Sequence, residues 1–210
     1  MSFHLVEPVI YLITKGDATP QNFGLTSREI LDTVRLAVGE NVSLIQIREK
    51  RLPARLLFEL TVEAVKITHE SPTRLLVNDR ADIALAAKAN GVHLAADSLA
   101  VDVIRTNFPT DFIVGVSTHS LESAASAFKG GADFAVFGPV FETPGKGEPQ
   151  GLGRLSEVCE KLLPFPVIAI GGINESNCES VPDAGASGVA AIRALNNAES
   201  MRAIIRKLKK

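Results

Sequence analysis

The chain has 210 residues, of which 46% are hydrophobic and 22% are charged, and its formal net charge is −2. These values are typical of a soluble globular protein, and without a basic excess to hold a phosphate backbone we expect no nucleic-acid partner. No apolar run approaches the ~18 residues of a membrane span, and the first residues lack the pattern of a signal peptide. We therefore expect a cytoplasmic protein with no membrane contact. The two cysteines match no metal-binding spacing, and we expect both to be reduced thiols.

Eight apolar runs of strand length recur along the chain. Most are rich in Val and Ile and apolar throughout, as is typical of strands that are covered on both faces. The predicted strands span residues 9–14, 42–48, 74–78, 91–95, 112–117, 134–138, 166–172 and 188–194.

Segments with helical spacing separate these runs. The first of them has apolar residues on one face, Ser27 as its expected N-cap and Gly39 as its expected end. Eight strand–helix units in 210 residues leave about 26 residues per unit, which favours an α/β fold with residues 1–210 in a single (β/α)₈ TIM barrel. The alternative is a doubly wound open sheet, which more often carries G-x-G-x-x-G after its first strand.

Polar residues cluster where the predicted strands end. In a (β/α)₈ barrel, all eight carboxyl ends meet at one mouth, and active sites form there. The sixth strand leads into a Gly- and Pro-rich loop at 138–153, which contains Thr143 and Lys146. The other candidates at strand ends are Gln46, Arg48, Lys50, Asn78, Asp79, Asp97, Ser117, His119, Gly172, Ile192 and Arg193.

The residue types at this mouth indicate phosphate chemistry. The cations are suited to phosphate or pyrophosphate, and Asp79, together with Asp97, offers the oxygen ligands that suit Mg²⁺. The turns at Gly172 and Arg193 follow the last two strands, where this fold commonly binds a phosphate. We therefore expect two phosphorylated small-molecule ligands, one of them a magnesium pyrophosphate.

Each of these residues also has a structural interpretation. The segment Arg48–Glu49–Lys50 is compatible with a solvated loop cluster. Asp79 is compatible with a cap on the following helix, and His119 with the start of another helix. His93 lies within an apolar strand, which is more typical of a hydrogen-bonded core histidine than of a ligand. What favours the functional interpretation is that the polar groups share the same end of each strand.

Five segments resemble the signature blocks of the superfamily formed by thiamine phosphate synthase and thiazole tautomerase. The resemblance is closer to the synthase, and the blocks occur in order over most of the chain. They are QIREK at 46–50, LLVNDRADIALAAKANGVHL at 75–94, GVSTHSLESA at 115–124, FGPVFETPGK at 137–146 and VIAIGGI at 167–173.

The resemblance to the synthase implies a transferase reaction in thiamine biosynthesis. In that reaction 4-amino-5-hydroxymethyl-2-methylpyrimidine pyrophosphate loses pyrophosphate, and the nitrogen of thiazole phosphate captures the pyrimidine-methyl cation. The resemblance implies Mg²⁺ at Asp79, and Asp97 is a second candidate ligand. The candidate catalytic residues are Lys50, Ser117, His119 and Lys146. The implied pyrimidine pyrophosphate ligands are Gln46, Arg48, Lys50, Asn78, Ser117 and Lys146. The implied thiazole phosphate ligands are Thr143, Gly172 and Ile192, and Arg193 beside them is a further candidate for substrate binding.

The sequence departs from the synthase pattern at three positions. Ser98 occupies the usual position of the second metal ligand, with Asp97 one residue earlier. Gly145 replaces a hydroxyl residue of the loop, and Arg193 replaces a serine near the thiazole phosphate, where it would either strengthen phosphate binding or block the site.

Two alternative functions stay open at this stage. Thiazole tautomerase is favoured by Ser98 and by His119, which matches its catalytic histidine, whereas Lys50 and the Asn78–Asp79 pair suit a metal and a pyrophosphate that the tautomerase does not need. A non-catalytic module that binds thiamine phosphate is the other alternative, because the magnesium site looks incomplete. A homo-oligomer is compatible with this class of barrel.

Overall fold

The computed structural model describes residues 8–209 and contains a closed barrel of eight parallel strands. Each strand pairs with the next, and the last pairs with the first, with Val9 beside Gly188. The predicted (β/α)₈ barrel is therefore confirmed, and the open sheet is wrong. The strands are β1 Val9–Ile13, β2 Leu44–Ile47, β3 Arg74–Asn78, β4 Gly91–Leu94, β5 Ile113–Thr118, β6 Phe134–Phe137, β7 Val167–Ile170 and β8 Gly188–Ala191.

A helix follows each strand and packs outside the barrel. A short 3-10 helix, Ala194–Asn196, lies between the last strand and the last α-helix. The α-helices are α1 Phe23–Gly39, α2 Ala54–Thr68, α3 Ala81–Ala86, α4 Val101–Asn107, α5 Leu121–Lys129, α6 Gly151–Leu162, α7 Ser180–Asp183 and α8 Ala198–Leu208. Among the described residues, no helix has both the length and the apolar character needed to cross a bilayer.

Two apolar layers explain why the strands are hydrophobic throughout. Successive side chains of a strand point to opposite faces, so residues such as Leu12 and Ile45 pack toward the helices. Their neighbours, including Tyr11, Leu44 and Phe134, fill the interior of the barrel. The interior is thus a packed core, and a cavity opens at the carboxyl ends of the strands.

The expected cap of α1 was wrong. The helix begins at Phe23, four residues before Ser27, and Asn22 occupies the N-cap position. The Asn22 side chain accepts hydrogen bonds from the backbone N–H and the hydroxyl of Thr19, so the loop before the helix is held by a local turn. The backbone N–H of Thr26 already donates to the Asn22 carbonyl oxygen, which places Ser27 inside the helix.

Candidate active site

A cavity of about 760 Å³ opens at the carboxyl ends of the strands. Its volume falls within the range typical of small-molecule binding sites. All the candidate residues except Asp79 line it: Gln46, Arg48, Lys50, Asn78, Asp97, Ser117, His119, Thr143, Lys146, Gly172, Ile192 and Arg193.

Asp79 lies beside this cavity, in a recess of about 270 Å³ that shares Lys50 and Asn78 with it. One carboxylate oxygen of Asp79 accepts a hydrogen bond from the backbone N–H of Ala95, and the other accepts one from Nδ2 of Asn78. The N-cap position of α3 belongs to Arg80 and has no side-chain cap. Asp79 therefore links the ends of β3 and β4, and the interpretation of Asp79 as a helix cap is wrong.

The end of β2 turns its side chains alternately toward the cavity and toward the core. Arg48 is half-buried and Lys50 is exposed, and both line the cavity. Glu49 between them is only 2% exposed. Its carboxylate accepts hydrogen bonds from the Thr14 hydroxyl and from the backbone N–H groups of Gly16 and Ala18. Glu49 thus fixes the loop after β1 and is not part of a solvated cluster, whereas Lys50 remains exposed.

Glu49→Gln is expected to lower the free energy of unfolding by about 1–3 kcal/mol, because one buried donor would then face an amide NH₂ instead of a carboxylate oxygen. Urea denaturation of both proteins measures the difference. The matched control is Glu59→Gln, an exposed acid that pairs with Arg55, for which we expect a change within about 0.5 kcal/mol. Equal losses in the two variants would contradict the structural role of Glu49.

Two residues of the site were not predicted from the sequence. His93 lies on β4, is 3% exposed and lines the cavity, and the fully buried Tyr11 on β1 contacts it. Burial is the main reason that the pKa of His93 is lowered to about 4. The negative charge of Asp79 raises this pKa, and the positive charge of Arg48 lowers it. Burial likewise holds the pKa of Tyr11 well above its usual range. The only signals in the sequence are a lone polar residue in one apolar strand and the chain's single tyrosine in another.

The end of β5 carries Ser117 and His119. Ser120, not His119, occupies the N-cap of α5, where it forms a capping box with Ser123. Nδ1 of His119 is hydrogen-bonded to the carbonyl oxygen of Gly138. A carbonyl oxygen can only accept, so Nδ1 carries a proton and, in the neutral ring, Nε2 has the lone pair.

The turn after β7 presents unpaired backbone donors. Gly171 and Gly172 have φ values of +100° and +66°, and the carbonyl oxygen of Gly172 accepts hydrogen bonds from Nδ2 of both Asn174 and Asn177. Within residues 8–209, no hydrogen bond uses the N–H of Gly172 or Ile173. These two N–H groups are therefore available to an anionic ligand.

Four cations from three separate segments face the cavity. Arg48 and Lys50 follow β2, Lys146 lies in the loop after β6, and Arg193 follows β8. The sequence predicts that these charges meet, and closure of the barrel brings them to a single opening. Such a cavity is suited to ligands that carry several negative charges.

The sequence profile of the family described as thiamine monophosphate synthase matches residues 10–195. The chain belongs to this family. A thiamine-phosphate synthase of Syntrophomonas wolfei is 38% identical over 203 residues, which cover 95% of this chain and 94% of that one. A thiamine-phosphate synthase of Roseiflexus castenholzii is 36% identical over 203 residues, which cover 95% and 86%. The solved structure of thiamine phosphate pyrophosphorylase from Pyrococcus furiosus superimposes with a TM-score of 0.80 at 32% identity, over 95% of this chain and 96% of that one.

Oxygen ligands for a metal are few in this member of the thiamine monophosphate synthase family. Within residues 8–209, no group of three or more acidic, His or Cys side chains is arranged to bind a metal ion. Asp97 is exposed and lines the cavity, whereas Ser98 does not. Asp79 and Asp97, from the ends of neighbouring strands, are therefore the candidate pair, and a metal there would need ligands from water or substrate as well.

Proposed function

We propose that this protein is a thiamine phosphate synthase, which joins the pyrimidine pyrophosphate to thiazole phosphate and releases pyrophosphate. The observation that carries the proposal is the meeting of four cations with the free backbone donors after β7 in one cavity, in a chain of the thiamine monophosphate synthase family. Such a cavity can hold two phosphorylated ligands side by side.

The pyrimidine pyrophosphate would bind on the side of β2, β3 and β5. Arg48, Lys50 and Lys146 supply positive charge, and Arg48 can bind two oxygens at once through its planar guanidinium. Gln46, Asn78 and Ser117 supply neutral polar groups at the same side of the cavity. These residues would hold the pyrophosphate so that the pyrimidine-methyl carbon faces the second substrate.

The chemistry requires charge stabilisation more than proton transfer. The bond between the methylene carbon and the pyrophosphate oxygen breaks, and the electron pair leaves with the pyrophosphate. The lone pair of the thiazole nitrogen then forms the new carbon–nitrogen bond. Fixed cations such as Lys50 and Lys146 favour this step because negative charge develops on the leaving group as the bond breaks.

Asp79 and Asp97 would hold Mg²⁺ on the pyrophosphate side. The residues fit this ion, because Mg²⁺ in such sites keeps several waters and uses one or two carboxylates together with substrate phosphates. Among residues 8–209, each oxygen of Asp79 accepts one hydrogen bond and retains a lone pair. When bound, the ion supplies positive charge to the leaving pyrophosphate.

Thiazole phosphate would bind on the opposite side, where β7 and β8 end. The N–H groups of Gly172 and Ile173 would donate to its phosphate, and Thr143 and Ile192 would line its site. Arg193 lies at the same side of the cavity, where its charge would strengthen phosphate binding.

Thiazole tautomerase is the second candidate, because of His119. The hydrogen bond from its Nδ1 to Gly138 fixes the ring and leaves Nε2 as a base at the cavity, as proton transfer would need. The magnesium ligands and Lys50 have no role in that reaction, which is why we favour the synthase. The cytoplasmic location and a homo-oligomeric state stay predictions.

A direct assay tests the proposed function. The purified chain is mixed with the pyrimidine pyrophosphate, thiazole phosphate and Mg²⁺, and thiamine phosphate is measured by chromatography. We expect thiamine phosphate and pyrophosphate in equal amounts, and no product when either substrate is left out. No product together with isomerisation of the carboxythiazole phosphate tautomer would instead support the tautomerase, and binding of thiamine phosphate without either activity would support a non-catalytic module.

A further inference from the structure

Four polar side chains form a hydrogen-bonded chain across the inside of the barrel. Nε2 of Gln46 donates to the Tyr11 hydroxyl oxygen at 2.9 Å, this hydroxyl lies 3.2 Å from Nδ1 of His93, and Nε2 of His93 lies 2.8 Å from Oγ of Ser117. Gln46, Tyr11 and His93 are each at most 3% exposed. At this burial, polar hydrogens are expected to have acceptors within the protein.

With the amide nitrogen of Gln46 next to the Tyr11 hydroxyl, as the structure places it, the chain of hydrogen bonds has a single consistent direction. An amide NH₂ group can only donate, so Gln46 uses an acceptor site of the Tyr11 oxygen. The Tyr11 hydroxyl hydrogen then needs an acceptor, and Nδ1 of His93 is the partner within reach. Nδ1 must therefore be unprotonated, and the ring proton lies on Nε2, which donates to Ser117 Oγ.

Packing holds the His93 ring in this orientation. Its ring centroid lies 5.7 Å from that of Tyr11 and 6.3 Å from that of Phe134. Gly115 on the neighbouring strand leaves the space that both rings need, because a Cβ there would lie 3.0 Å from Nδ1 of His93 and 2.3 Å from Cζ of Phe134. The His93 ring is thus packed against two aromatic rings of the barrel interior.

We infer that Tyr11 and His93 are positioning residues, which make Ser117 a hydrogen-bond donor to the pyrophosphate of the substrate. Because Ser117 Oγ accepts the proton of Nε2, its own hydrogen cannot point toward His93 and is free to turn to the cavity, which Arg48, Lys50 and Lys146 also line. An anionic ligand needs donors and not acceptors at this position. The inference rests on the proposed function, since it assigns Ser117 to the pyrophosphate side.

The position of the proton can be measured without any assay of activity. Nitrogen NMR of the full chain with isotope-labelled histidine reports which ring nitrogen is protonated, and the signals of His93 are identified by their loss in His93→Gln. We expect a proton on Nε2 and none on Nδ1 in the wild-type protein. A proton on Nδ1 would overturn the inference, even if the protein proves to be an active synthase.

Kinetics then separate positioning from a merely structural role. Tyr11→Phe removes the hydroxyl that holds Nδ1 as an acceptor, and we expect a loss of about tenfold in kcat/KM for the pyrimidine pyrophosphate, with the KM for thiazole phosphate unchanged. In the Ser117→Ala background, the same substitution should have no further effect, because the residue through which it acts is gone. If Tyr11→Phe lowers kcat/KM in the Ser117→Ala background by the same factor as in the wild-type protein, the inference is contradicted. An inactive wild-type protein would contradict only the proposed function.

Discussion

Asp79→Asn is expected to lower kcat by ~10²-fold or more, because it removes the carboxylate that would hold Mg²⁺ against the leaving pyrophosphate. Asn is the substitution of choice here for two reasons. It keeps the size of the side chain, and it tolerates the left-handed backbone of Asp79, whose φ is +57°. The oxygen of the new amide can still accept from the N–H of Ala95, so the link between the ends of β3 and β4 should persist.

The measurement is kcat at saturating substrates over a range of Mg²⁺ concentrations, with Tm recorded for each protein. We expect the variant to need more Mg²⁺ for half-maximal rate and to remain slow at saturation. Asp82→Asn is the matched control: Asp82 is an exposed acid in the same segment, paired with Arg80, and its loss should leave kcat and the Mg²⁺ dependence unchanged. A wild-type rate in Asp79→Asn would remove Asp79 from the mechanism.

Gly172→Ala is expected to raise the KM for thiazole phosphate by about tenfold or more, the equivalent of ~1.4 kcal/mol. A Cβ at this position would lie 2.4 Å from the carbonyl oxygen of Glu142 and 2.8 Å from Cβ of Phe141. The close atoms include backbone, so no change of rotamer can relieve the contact, and the positive φ adds about 1–3 kcal/mol of strain. The segment at Phe141–Glu142 must therefore move away from residue 172. Because the N–H of Phe141 donates to the carbonyl oxygen of Gly171, we expect the turn after β7 and its two free N–H groups to shift as well.

Steady-state kinetics with each substrate varied in turn tests this prediction. The KM for the pyrimidine pyrophosphate should change much less, because its proposed ligands lie on β2, β3 and β5. Gly147→Ala is the matched control, since a Cβ there would meet nothing within 4 Å and should leave both KM values unchanged. Equal increases for the two substrates in Gly172→Ala would argue against separate binding sides in the cavity.

The two substitutions probe opposite sides of one cavity. Asp79 lies beside the proposed pyrophosphate side, and Gly172 forms part of the proposed phosphate side. If the synthase is correctly assigned, the first should act on kcat and metal dependence, and the second on binding of a single substrate. This division follows from the order of the strands around the barrel, in which β3 and β7 are separated by three strands on either side.

The sequence by itself determined the barrel and the side on which it functions. A strand covered by the core on one face and by helices on the other must be apolar throughout, and eight such runs alternate with helical segments. Each strand starts from the same end of a parallel barrel, so residues at the ends of the runs, such as Arg48, Asn78 and Ser117, necessarily share one opening. Local sequence patterns carry this information, so the sequence alone is sufficient to predict the barrel and the end that carries the site.

Only the tertiary structure decided how these residues are used. Whether Glu49 lies in solvent or in a buried clamp depends on the loop after β1, more than thirty residues earlier in the chain. Asp79 proved to bond across to Ala95, and Tyr11 to meet His93, a contact between strands 82 residues apart. Burial, hydrogen-bond direction and pKa are set by neighbours that the closure of the barrel brings together, and no sequence pattern around a single residue records them.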